Sequence, residues 1–109
     1  MKVIIFAALA CAALIGTPAF ADAKLVQEKQ CLHCHDVSAD KAGPSFKKIA
    51  VRWKGQKEAE KMLVATIRKG SVEGGGQCWS MKAEMPNDRE RPLISEEEAK
   101  QIYMWIMKQ

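Results

Sequence analysis

Cys31-Leu32-His33-Cys34-His35 constrains this chain more than any other stretch. Two thiols separated by two residues, with an imidazole directly after the second, fit the attachment pattern of a c-type haem. The thiols can bond the two vinyl-derived carbons on one edge of a porphyrin. The residue that follows then brings its ring to the iron, where histidine is a normal axial ligand. Such covalent bonds also shorten the freedom of the unfolded chain. The competing readings are weaker. A thioredoxin-like redox pair wants a βαβ setting, which the sequence lacks. A zinc site built from Cys31, Cys34, Cys78 and one histidine lacks the second close ligand pair of common zinc folds. A plain Cys31–Cys34 disulfide is the third alternative, in an oxidising compartment. His33 lies inside the motif but is read as exposed or on the propionate side, because His35 is already committed.

The N-terminus points to an oxidising compartment. Lys2 gives a positive start, residues 3–15 are apolar, Thr17-Pro18 breaks the run, and Ala19-Phe20-Ala21 is a small-x-small cleavage signal. This is a secretory signal peptide over residues 1–21, followed by one domain over residues 22–109. The apolar run is short for a bilayer and no second one follows, so no membrane span is expected after cleavage, and the expected location is the periplasm. Cleavage removes Cys11 and leaves Cys31, Cys34 and Cys78. An odd number in an exported domain argues against a simple disulfide framework, and Cys78 reads as a buried thiol. A chain of 109 residues has room for one small core, of the size that gains from a large cofactor. The formal net charge of +4 is mild and unlike the concentrated charge of a nucleic-acid binder.

Apolar spacing predicts an all-α architecture of about four helices with long loops. Asp22 is read as the cap of a first helix over residues 23–31, with Leu25 and Val26 inward. A short helix over 45–53 buries Phe46, Ile49 and Trp53 and ends at Gly55. A longer one over 57–69 turns Met62, Leu63, Thr66 and Ile67 inward and stops at Gly70. Residues 77–94 read as extended loop. Ser95 and Glu98 form a capping box for a last helix, whose Ala99, Ile102, Tyr103 and Ile106 recur on one face.

The iron needs a sixth ligand or an open face, and no histidine follows residue 35. Met62, Met104 and Met107 read as packing or surface residues. Met81 and Met85 lie in the long loop, suited to covering the other haem face. Met85-Pro86 is preferred because proline stiffens the loop; Met81, Cys78 and an open site are the alternatives. A thioether opposite His35 raises the potential and fills the iron, which suits electron transfer between partner proteins rather than enzymatic chemistry. The alternatives are a dedicated cytochrome subunit of a periplasmic oxidoreductase complex, and an open-site haem enzyme or gas sensor.

These features together resemble the class I cytochromes c, the small soluble monohaem c-551/c-552 carriers of bacteria. Besides the motif at 31–35, the resemblance rests on Ala42-Gly43-Pro44 before Phe46-Lys47-Lys48-Ile49-Ala50, on Ile67-Arg68-Lys69-Gly70-Ser71, on Trp79 through Met85-Pro86, and on the terminal helix. It implies one covalent haem c per chain inside a class I fold. It further implies that the Pro44 carbonyl accepts the ring N–H of His35, fixing the imidazole. Trp79 would donate its indole N–H to a haem propionate, with Arg68 a weaker propionate candidate. Lys47, Lys48, Lys54 and Lys57 form a solvated face, some of them framing the haem edge and steering an acidic partner. The chain departs from the family in its longer 79–85 segment with a second methionine, in Cys78, and in Asp88-Arg89-Glu90-Arg91, where a more apolar continuation is usual.

Overall fold

The computed structural model describes the backbone from residue 19 onward, apart from residues 76–78, 80 and 82, and the side chains from residue 22. Residues 1–18, and with them most of the expected signal peptide, lie outside the described residues, as does Cys78. Four helices carry the fold: α1 (Ala19–Glu28), α2 (Phe46–Trp53), α3 (Ala59–Gly74) and α4 (Glu96–Ile106). No strand occurs among the described residues. No described helix is long and apolar enough to cross a membrane.

The first helix is already formed at Ala19, the first described residue, four residues before its expected start. Nothing in Ala19-Phe20-Ala21 breaks a helix, so Asp22 falls inside the first turn instead of capping it. An acidic residue in the first turn is favoured by the positive end of a helix. The helix also stops short of Cys31. Gln30 turns left-handed at φ 62°, and Cys31–His33 form a single 3-10 turn. That break swings the motif off the helix axis.

Ser45, expected as the first residue of the second helix, caps it instead: the Lys48 N–H donates to Ser45 Oγ at 3.2 Å. Phe46, Ile49 and Ala50 are buried, and Trp53 is half-buried. In α3, Leu63, Val64 and Ile67 are buried, while Met62 and Thr66 are only half so. Gly70 breaks this helix as expected, at φ 84°, ψ 175°, but helix resumes beyond it to Gly74. The result is a kink, which exposes backbone at one point of α3 to a neighbouring segment.

Helix α4 is the hub, packing against α1, α2 and α3. Its capping box is complete: the Glu98 N–H donates to Ser95 Oγ at 3.1 Å, and the Ser95 N–H to Glu98 Oε1 at 3.0 Å. Ala99, Ile102 and Ile106 enter the core with Val26, Phe46 and Ile67. Side chains as deeply buried as Ile102 each contribute roughly 1.5–3 kcal/mol. Lys29 joins the end of α1 to the start of α4, pairing with Glu98 at 3.0 Å and donating to the Leu93 carbonyl at 2.9 Å.

Candidate functional site

The segment after the motif folds back on it. The Gly43 N–H donates to the Cys34 carbonyl at 2.8 Å, and the Phe46 N–H to the Asp36 carbonyl at 2.9 Å. Asp36 closes the turn between them by accepting the Ser38 and Ala39 N–H groups, each at 3.0 Å. This loop carries Pro44 to His35, whose Nδ1–H donates to the Pro44 carbonyl at 2.7 Å. With the proton on Nδ1, the Nε2 lone pair is left for a metal. Burial pushes the imidazole below its ordinary pKa and the Pro44 bond opposes this in part, so the neutral, ligating form is favoured.

Packing fixes the same ring. His35 stacks on Phe46 with centroids 5.2 Å apart and planes at 25°. Phe46 meets Trp105 of α4 edge-on at 5.0 Å and 84°. Gly43 lies so close that a Cβ there would come within 2.5 Å of His35 Cε1. A hydrogen bond, an aromatic face and a glycine thus hold one imidazole.

A second segment is seated on the α3 kink. The Ser71 N–H donates to the Met85 carbonyl at 3.1 Å, and the Met85 N–H returns a bond to Ser71 Oγ at 3.0 Å. Arg91 Nε donates to the Pro86 carbonyl at 2.7 Å, and its Nη2 donates to the Ile67 carbonyl. Lys69 and Asp88 pair at 3.0 Å across the same junction. Sequence reasoning missed Arg91; its only signal was the unusually charged stretch 88–91.

Both segments face one apolar cavity of about 370 Å³. Cys31, Cys34, His35, Pro44, Trp79 and Met85 all line it, and Met81 lines it too. Cys31 and Cys34 are free thiols here. Burial raises the Cys31 thiol pKa, with the Arg91 charge pulling the other way. Other sequence-level candidates fall elsewhere. Arg68 is not among the residues lining the cavity; its Nε points to the Ile94 carbonyl at 3.5 Å. His33, Lys47, Lys48, Lys54 and Lys57 are exposed.

The lining suits a porphyrin. Thiols, an imidazole and thioethers share an apolar chamber, and Trp53, which also lines it, holds a buried Nε1–H with no partner among the described residues. A haem brings two propionate carboxylates, the kind of acceptor a buried indole wants. The class so defined is the small all-helical haem protein with a covalently held cofactor.

Comparison with known proteins agrees. The cytochrome c family model matches residues 21–109. Cytochrome c-552 of Hydrogenobacter thermophilus is 33% identical over 88 residues, covering 81% of each chain. Cytochrome c-552 of Nitrosomonas europaea is 32% identical over 99 residues, covering 90% of this chain and 87% of that one. The crystal structure of the wild-type Nitrosomonas protein superposes with a TM-score of 0.66 at 28% identity, covering 79% of this chain and 96% of its own. The class 1 cytochrome MtoD of Sideroxydans lithotrophicus ES-1 gives 0.58 at 28% identity, covering 85% and 97%. The chain belongs to the cytochrome c family. It has the all-α class I fold and carries covalently attached haem c, and it is an electron-transport protein.

Proposed function

We propose that the protein is a periplasmic one-electron carrier, with haem c bonded to Cys31 and Cys34 and its iron held between His35 and Met85. Residues 1–21 act as the signal peptide, and residues 22–109 are the exported domain. The observation that carries the ligand assignment is that His35 and Met85 line one cavity from separate segments, each tied down by its own hydrogen bonds. The haem supplies an Fe(III)/Fe(II) couple, and a neutral thioether opposite imidazole raises its potential. The protein's part is to keep His35 neutral and oriented, keep Met85 in reach and exclude water. Pro44 orients the imidazole, and Trp79 donates to a propionate. Nothing in this arrangement calls for a substrate at the iron, so the role is that of a carrier between redox partner proteins and not of an enzyme.

Met81 is the rival ligand because it lines the same cavity. The ferric spectra of Met85→Ala and Met81→Ala separate the two: the sulfur-to-iron charge-transfer band is expected to vanish only in Met85→Ala. Its loss in Met81→Ala alone would move the assignment. A dedicated subunit of an oxidoreductase complex is the second reading, supported by Leu93, which is 72% exposed in the long loop before α4. Co-purification with one stable partner would favour that reading.

A further inference from the structure

The departure at residues 88–91 has a structural counterpart. Arg91 is partly buried, and the two bonds described above both end on backbone carbonyls: Pro86, next to the expected ligand, and Ile67, one turn before the Gly70 kink. Its third nitrogen, Nη1, is buried with no partner among the described residues. A guanidinium is planar, always charged and offers its donors in a fixed fork, so it fixes the spacing of two acceptors as a lysine does not. The other ties across this junction are weaker or less specific. Lys69–Asp88 is an exposed pair, which contributes little. Ser71 holds the Met85 backbone by neutral bonds alone. The Asn87 side chain accepts the Arg89 N–H at 2.9 Å, which turns the chain so that Arg91 comes back over Pro86.

We propose that Arg91 is a positioning residue for the sixth ligand: its guanidinium latches the Met85-Pro86 segment onto α3 and so sets how often the iron loses Met85. This rests on Met85 being the ligand. Arg91 touches neither the sulfur nor the iron; it acts on the segment that carries the sulfur. Charged hydrogen bonds to two carbonyls are the strong kind. Lifting the Met85-Pro86 segment off α3 breaks at least one of them and leaves a part-buried acceptor behind.

Cyanide binding to the ferric holoprotein tests the latch, because cyanide reaches the iron only when the sixth ligand leaves. Arg91→Gln is expected to bind cyanide about thirtyfold faster than wild type, equivalent to ~2 kcal/mol at 1.4 kcal/mol per tenfold. Arg91→Lys keeps the charge but loses the fork, and is expected to restore only part of the closure. It also carries the test if Arg91→Gln does not fold. Asp88→Asn is expected to change the rate less than twofold. Ser95→Ala, which weakens the fold away from this junction, serves as the control for general destabilisation. An unchanged cyanide rate in Arg91→Gln and Arg91→Lys would overturn the proposal. So would an increase matched by Ser95→Ala, since the role would then be structural only. A charge-transfer band that survives Met85→Ala would instead refute the ligand assignment, whatever Arg91 does.

Discussion

Replacing Gly70 with alanine should unseat the Met85 segment. At φ 84°, ψ 175° the backbone is in a region open almost only to glycine, and forcing another residue there costs about 1–3 kcal/mol. The added methyl would also lie 2.6 Å from the Met85 carbonyl oxygen and 2.8 Å from that of Pro86. Neither oxygen can retreat freely, because Ser71 holds the first and Arg91 the second. Overpacking of this kind costs a further ~1–3 kcal/mol. A total of about 2–6 kcal/mol corresponds to a fall of roughly 8 °C or more in the melting temperature of a domain this small. Gly55 provides the reference. It too has positive φ, 72°, but a methyl there meets nothing within 4 Å, so Gly55→Ala should cost only the left-handed strain of roughly 1–2 kcal/mol. Thermal unfolding of the two holoprotein variants, read together with the ferric charge-transfer band, is the assay. Gly70→Ala should melt well below Gly55→Ala and lose intensity in the band. Equal melting temperatures with an intact band would refute the idea that the kink seats the ligand segment.

Gly43→Ala should push the His35 ring off its seat, since the new methyl would lie 2.5 Å from Cε1; a cost of ~1–3 kcal/mol and shifted His35 ring-proton resonances in the NMR spectrum of the ferrous holoprotein are expected, and unmoved resonances would count against that tight seat. Glu98 should contribute to stability above its ordinary pKa of 4.5 and lose that contribution as pH falls through its lower folded value. The Ser95 N–H, then Lys29, stabilise the charged carboxylate in the native state, so the native state gives up its advantage as the group protonates. In urea unfolding, the gap between wild type and Glu98→Gln should therefore narrow in acid, and a gap independent of pH would contradict the assignment.

What the sequence disclosed was chemistry that acts over short distances. The spacing within 31–35 and the box at Ser95–Glu98 are written in neighbouring residues. The Pro44–His35 bond came from a family resemblance, and the structure has it at 2.7 Å. The start of α1 was misplaced because Asp22 is acceptable both as a cap and as a first-turn acid, and nothing local decides between them. Gly70 read as a stop because its other use depends on Met85 and Pro86 arriving from far along the chain. Arg91 was invisible for the same reason. Its acceptors are backbone carbonyls, which carry no side-chain signature, and one of them is 24 residues away.

The His35–Phe46–Trp105 contact also bears on how the protein is made. Its first two members leave the ribosome early, whereas Trp105 lies in the last of the four helices. Contacts spanning so much chain form late, after the entropy of closing the loop has been met. Until α4 docks, one face of Phe46 stays bare and the imidazole above it has an unfinished support. The 31–35 motif is thus complete in sequence before its histidine is fully supported, and the docking of α4 through Trp105 supplies the last of that support.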